Sequence, residues 1–315
     1  MAKGFYKNNA MCDFAHKNRP NTFYSAIGNL WILLYGNKND KNPKLIALVS
    51  EVNNNEDYNS NHPLPNENDA LQVANMLKEI YNEHLPFLSF RYKKGSFSSC
   101  KNLYGEDISL EQLYSFYKKV GLDIIDKKTN KGVNQYTSSD FHDWQRTNLG
   151  NNIIATDFDL IGLNDEKKPE VIYELKRSTF TVRTWNPFPD DFNNFELLFN
   201  FCSKADIDFI LIFNHYEKHP DGTQSDDLSL LGVYFFVRDG VYFSYKKLGE
   251  CSNKYLLDKQ VLYKYRIVHK KCPYCGAQLS LRKGKYNKSD FYACPNYNIS
   301  CKGFICSINE VDSRL

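Results

Sequence analysis

Asp159, Glu174 and Lys176 are the residues of this chain whose types and spacing can do chemistry together. In TDFDLIGL an aspartate sits inside an apolar, β-prone run. In IYELKRS, Ile172 to Ser178, a glutamate and a lysine stand two residues apart in another. Side chains alternate along a strand, so Glu174 and Lys176 share one face while Tyr173 and Leu175 share the other. Glu and Lys are rarely buried without a partner, so a common face for both calls for a partner or a function. On the preceding run, read as a single strand, Asp157, Asp159 and Ile161 share a face and Phe158 and Leu160 oppose them. Pairing of the two runs across NDEKKP brings two or three acids and one lysine together. Carboxylates brought close repel each other and favour a divalent cation between them; hard oxygen ligands with open water positions suit Mg²⁺. A lysine beside that cation can polarise a water for attack on phosphorus, while the metal neutralises charge on the phosphoryl oxygens.

A second constellation lies in CPYCGAQLSLRKGKYNKSDFYACPNYNISCKGFIC. Cys272 and Cys275 form a knuckle, and Cys294 with Cys301 closes a second one after an intervening hairpin. Four thiolates at this spacing give tetrahedral Zn²⁺ with no open position, so the expected site is structural. Cys306 is the alternative fourth ligand. Cys12, Cys100, Cys202 and Cys251 are scattered and are expected to pack as small apolar residues. The opening MAKGFYKNNAMCDF has no secretory apolar run, and the longest apolar run, IDFILIF, is too short to span a bilayer. A reducing cytoplasm is therefore expected, where clustered cysteines indicate metal rather than disulfides.

The elements that must position these groups are legible from periodicity. NLWILLYG and KLIALVSEV read as strands joined by NKNDKNP. After the polar loop NNNEDYNSNHPLPNEND, Ala70, Val73, Ala74, Leu77, Ile80 and Tyr81 recur at helical spacing. Ser109 and Gln112 fit a capping box, and Gly121 ends that helix. SDFHDWQRTNL reads as a helix, NNIIATDFDLIGL and EVIYELKRS as strands, FNNFELLFNFCSKA as a helix and IDFILIFNHY as a buried strand. This order indicates an α/β layer with a mixed sheet. A hairpin follows around Arg238, Asp239 and Gly240. His215 and His219 leave a strand for a Pro-containing loop, which points to surface positions and not to a metal pair.

Asp159 with Glu174-Leu175-Lys176, an acid on one strand and ExK on the next, resembles the PD-(D/E)XK nuclease superfamily. The likeness covers Ser138 to Tyr216, in the order helix, two hairpin strands, helix, strand. It implies a restriction-endonuclease-like core in which Asp159 and Glu174 bind the metal and Lys176 positions or polarises the attacking water. Hydrolysis would leave a 5′-phosphate, and a homodimer would supply two sites for two strands. Phe158 stands where the family often has proline before its aspartate. Asp157 competes for the aspartate role; the DLIG context favours Asp159. Asp143 is the candidate for the upstream helical acid that some members use. The following helix shows no clear match to the glutamine or tyrosine of some subfamilies. Arg177 and Ser178, just beyond the strand, are natural phosphate contacts. The cysteine knuckle with LSLRKGK resembles the zinc ribbons at the C-termini of type IA topoisomerases, over Cys272 to about Phe304. That likeness implies DNA binding, with Arg282, Lys283, Lys285, Tyr286 and Phe291 supplying phosphate and stacking contacts.

At 315 residues with 42% hydrophobic and 24% charged content, the chain has material for a real core and one or two domains. A net charge of +3 decides nothing, but its distribution does. From Lys246 to Lys288 lysines and arginines run almost unopposed, interleaved with Tyr255, Tyr263, Tyr265, Tyr274 and Tyr286. Cations among aromatics suit nucleic acid, supplying charge for phosphates and flat faces for bases. No Walker loop, Rossmann fingerprint or nucleophile elbow is present, which disfavours ATP-driven, NAD-dependent and α/β-hydrolase functions and any nucleotide cofactor.

The expectation is an α/β protein: an N-terminal α/β region over 1–135 for recognition or dimerisation, a nuclease core over 136–265 and a zinc ribbon over 266–315. The expected activity is Mg²⁺-dependent endonucleolytic cleavage of double-stranded DNA, in restriction or defence. The rivals are a repair or recombination nuclease for branched or single-stranded DNA, and a non-catalytic zinc-ribbon DNA-binding protein.

Overall fold

The apolar runs LWILLYGN and PKLIALVSEV form adjacent antiparallel strands, and almost every residue in them is buried. They belong to a computed structural model that describes residues 9–26, 28–81, 85–95, 97–125, 139–253, 266, 269–283, 290–297 and 299–307. In chain order, the amino-terminal half contains α1 (Ala10–Asn18), β1 (Phe23–Tyr24), β2 (Leu30–Asn37), β3 (Pro43–Val52), α2 (Asn55–Tyr58), α3 (Pro65–Ile80), β4 (Phe87–Lys93), β5 (Cys100–Lys101), β6 (Asp107–Ile108) and α4 (Leu110–Lys119). Then come α5 (Asp140–Asn148), β7 (Ile153–Asp157), β8 (Leu160–Leu163), β9 (Pro169–Ser178) and α6 (Phe192–Lys204). The rest comprises β10 (Asp208–Lys218), β11 (Gln224–Asp239), β12 (Tyr242–Cys251), β13 (Ser280–Lys283), β14 (Asp290–Ala293) and β15 (Ile305–Ser307).

Three sheets result, ordered β6-β5-β4-β3-β2-β7, β1-β8-β9-β10-β11-β12 and β13-β14-β15. The first is mixed, since β3 pairs with β4 in parallel and with β2 in antiparallel fashion. This is the α/β class with mixed sheets flanked by helices. The Ser109–Gln112 capping box forms, and Gly121 takes a positive φ of 85° after α4. Helices α4 and α5 cover one face of the first sheet, with Leu113, Tyr117 and Phe141 packed on Tyr35, Ala47, Phe90 and Tyr92. Helix α6 packs against β2, β3 and β7. Phe201 of α6 stacks on Tyr81 and meets Phe158 edge-on, with both ring centroids 5.3 Å away. Gly36 permits this approach: a Cβ there would lie 2.6 Å from Leu197 Cδ1.

NNIIATDFDLIGL is not one strand. It breaks at Phe158–Asp159, and its two halves enter different sheets: β7 pairs with β2, and β8 with β9 and β1. The Phe158 N–H still donates to the Ile32 carbonyl of β2 (3.1 Å), its ring is buried against Phe201, and the chain leaves the first sheet after it. Asp157 and Asp159 consequently do not share a strand face; Asp157 is exposed at the end of β7.

Contacts group the chain into two compact units, drawn on other lines than the sequence boundaries at 135 and 265. One comprises Met1–Arg177, Thr184–Ile212 and Phe236–Tyr245; the other comprises Ser178–Arg183, Phe213–Phe235 and Lys246–Leu315. β1 belongs with the core because it is hydrogen-bonded to β8, and β7 is likewise bonded to the first sheet. No helix among the described residues is long and apolar enough to cross a membrane.

Candidate active site

β8 and β9 pair antiparallel, with Leu160 opposite Tyr173 and Ile161 opposite Ile172. The hairpin is set by the turn between them. Asn164 Oδ1 accepts from the N–H groups of Glu166 (2.9 Å) and Lys168 (3.0 Å), and Lys167 adopts φ 63°. One step along this register sets Asp159 beside Glu174. Asp159 is fixed by the neighbouring strand, since the Leu175 N–H donates to its Oδ2 at 2.7 Å. Glu174 is 4% exposed, and its Oε2 has no hydrogen-bond partner, an orphan lone pair in a buried carboxylate. Unsatisfied buried carboxylate oxygens are costly, and a cation would satisfy this one.

Lys176 is held from three sides. Its Nζ lies 3.0 Å from Glu174 Oε1 and 3.6 Å from Asp191 Oδ2, and it sits over the Phe195 ring, 5.4 Å from the centroid. Burial raises the Asp159 pKa well above the ordinary carboxylate range. Glu174 and Asp157 add to that rise, while Lys176 and the Leu175 N–H oppose it. Glu174 is also raised, first by burial, with Lys176 pulling it back and Asp157 and Asp191 pushing it further. Burial alone would lower Lys176, but Glu174, Asp191 and Asp159 outweigh it and keep the ammonium charged far into the alkaline range.

The donor set of Asp159 and Glu174 is hard oxygen, as Mg²⁺ requires, and the orphaned Glu174 oxygen supplies the fit. No three of the described carboxylates bring donor atoms within 4.8 Å of one another, as the four C-terminal thiols do. Among the described residues, those thiols are the one group of three or more potential ligands whose donor atoms all lie within 4.8 Å. Like charges separate, and here Lys176 takes the place beside Glu174.

Asp191 is the site residue that the sequence did not reveal. In PDDF, just ahead of an apolar helical run, it reads as a helix cap. It stands at the N-cap position of α6 without making a capping hydrogen bond, which leaves its carboxylate for Lys176. Asp143 is not brought into such a contact; it is an exposed acid on α5 paired with Arg146 at 3.4 Å. Arg177 is half-buried at the end of β9, and Ser178 Oγ accepts from the Phe180 N–H at 3.1 Å. His215 and His219 take separate partners. His215 Nδ1 lies 3.1 Å from the Phe180 carbonyl, and His219 Nε2 lies 2.9 Å from Ser225 Oγ.

Cys272, Cys275, Cys294 and Cys301 lie close enough together to bind a metal such as zinc. The Cys272–Cys301 and Cys275–Cys294 sulfur separations are 3.7 and 3.6 Å. Tetrahedral Zn–S bonds of about 2.3 Å place sulfurs roughly 3.8 Å apart, so the set needs little adjustment. The Gly303 N–H donates to Cys301 Sγ at 3.4 Å, the kind of outer-shell support thiolates take up. Cys306 lies outside the set: it is buried on β15 opposite Tyr292 and packs in the small core with Leu279. One zinc per chain is therefore expected by elemental analysis, lost in Cys301→Ser and retained in Cys306→Ser. Retention in Cys301→Ser would refute this ligand set. Arg282 and Lys283 are exposed on β13, and Arg282 lies opposite the half-buried Phe291 on β14. Lys285 and Tyr286 lie outside the described residues, as do Lys254, Lys259, Lys264, Lys288, Tyr255, Tyr263 and Tyr265.

Compared with family models, curated proteins and solved structures, the chain matches none.

Proposed function

We propose that the chain is a Mg²⁺-dependent DNA endonuclease of the PD-(D/E)XK type, with a zinc ribbon that binds DNA, acting on double-stranded DNA in restriction or defence. The observation that carries this reading is the buried Glu174 with an orphan oxygen, set beside Asp159 and flanked by Lys176. Asp159 and Glu174 would hold the cation, whose chemistry is Lewis-acid stabilisation of the phosphoryl oxygens. Lys176, kept charged by its acid neighbours, orients the attacking water through its ammonium and stabilises developing negative charge. Asp191 and Phe195, which also contact that ammonium, would keep it in place with Glu174 engaged by the cation. Arg282, facing the same side of the ribbon as Phe291, supplies phosphate contact beside an aromatic face.

The test is cleavage of plasmid and genomic DNA in Mg²⁺, methylated and unmethylated. Discrete fragments are expected from the wild type, with Lys176→Ala reducing the rate by about 10²-fold or more. A preference for branched over plain duplex DNA would assign the same site to repair or recombination.

One observation favours a non-catalytic DNA-binding protein, namely that the Lys176–Glu174 ion pair is already formed at 3.0 Å. Tight DNA binding without cleavage by any preparation would establish that reading instead.

A further inference from the structure

Residues of α1 and β1 and those beside them, from Asn9 to Ser25, form a wall of the cleft that holds Asp159. That cleft, of about 120 Å³, is lined among others by Asn9, Cys12, Ser25, Asp157, Asp159 and Leu175. β1 pairs with β8 through Phe23–Gly162 and Tyr24–Ile161, so the next residue, Ser25, is carried toward the Asp159 end of β8. From α1, the Cys12 thiol donates to the Asp159 carbonyl at 3.6 Å, which ties the helix to the same turn.

Ser25 is 5% exposed, and its Oγ lies 2.7 Å from His16 Nε2. His16 is half-buried on α1. Burial lowers its pKa, against a weaker opposing effect of Asp13, and so favours the neutral imidazole. A hydroxyl that gives its proton to an imidazole keeps its lone pairs for a water. A serine backed by a histidine at this distance is the arrangement by which proteins move a proton off an attacking oxygen.

We propose that Ser25 and His16 form a proton relay for the hydrolysis, with Ser25 touching the attacking water and His16 positioned behind it. This rests on the nuclease reading given above. As the water oxygen attacks phosphorus, its proton passes to Ser25 Oγ while Ser25 passes its own to His16 Nε2. The new P–O bond forms as the P–O3′ bond breaks, and the leaving oxygen takes a proton from solvent. The half-buried imidazolium then returns its proton to solvent. The amino-terminal segment thus belongs to the reaction site.

The experiment is single-turnover cleavage of supercoiled plasmid by the full chain in Mg²⁺, with plasmid binding measured in Ca²⁺. Ser25→Ala and His16→Ala are each expected to slow cleavage by about 10²-fold with binding nearly unchanged. The double variant is expected to be no slower than either single one, because the two act as a unit. Added imidazole should restore part of the His16→Ala rate, which a merely structural histidine would not show. This rescue keeps the test open if Ser25→Ala misfolds. Cleavage within threefold of wild type in both single variants, or a loss that imidazole leaves unmoved, overturns the relay. If Asp159→Asn is inactive in the same assay, the nuclease reading survives that failure. If the wild type cleaves no DNA, both fall together.

Discussion

Asp159→Asn is expected to lose about 10³-fold or more of Mg²⁺-dependent cleavage and, at the same time, to make the metal-free protein harder to unfold. On the proposed reading, the loss follows from removing one of two anionic ligands from a cation whose charge stabilisation would be worth several kcal/mol in a phosphoryl transition state. The gain in stability follows from the same residue. Beyond the effect of burial, Glu174 raises the proton affinity of Asp159, and Asp157 raises that of both carboxyls. Replacing one charge by an amide relieves that repulsion, by about 1–2 kcal/mol, as is common where a site is arranged for function rather than stability.

The linkage to pH has a definite direction. Both carboxyls are raised in the folded state, so the native protein binds protons more tightly than the unfolded chain does. Their contribution to stability is fully present below the unfolded carboxylate pKa and is lost as the pH rises through the raised values. Chelator-treated wild type should therefore melt at progressively lower temperature as the pH rises above the ordinary carboxylate range, and Mg²⁺ should restore the loss most at the upper end. Thermal melts of wild type and Asp159→Asn, with and without Mg²⁺, measure this. A pH slope equally steep in the variant would show that the two carboxyls are not its source.

The second large effect is on the fold. Arg91 of β4 is fully buried, and its guanidinium bonds the carbonyls of Asp57, Ser60, His62 and Leu103 together with Glu67 Oε2 at 2.5 Å. The same Glu67 oxygen accepts from the Leu64 N–H at 2.8 Å and so closes the start of α3. One side chain thereby holds the polar loop NNNEDYNSNHPLP against the first sheet. Arg91→Met would leave four carbonyls without this donor and Glu67 buried as an uncompensated charge. Breaking such a pair from one side costs about 3–5 kcal/mol. The midpoint of urea unfolding should fall accordingly, and Arg91→Met with Glu67→Gln together should cost less than Arg91→Met alone. A midpoint within error of wild type would mean that the loop is held by other contacts.

Much of this protein is set by local sequence. Strands β2, β3, β9 and β10, helices α3, α4 and α6 and the turn at Asn164 appear where apolar period and turn chemistry place them, because the pattern of each is written in residues near in sequence even where its strand partner is distant. The four thiolates are legible from their spacing as two knuckles, and the fold then brings sulfurs together across them, Cys272 with Cys301 and Cys275 with Cys294. The common face of Glu174 and Lys176 follows from strand alternation alone. What tertiary structure decided is where unlike segments meet. Phe158 is buried against α6, and one apparent strand becomes two there, so that Asp157 and Asp159 do not share a strand face. Cys306 yields to Cys301 because β15 pairs it with Tyr292 in a core. Asp191 reaches Lys176, and Ser25 enters the Asp159 cleft, only through the packing of α6 and the pairing of β1 with β8. No period or spacing encodes such meetings. They arise from burial and long-range hydrogen bonding that act once the chain is already compact.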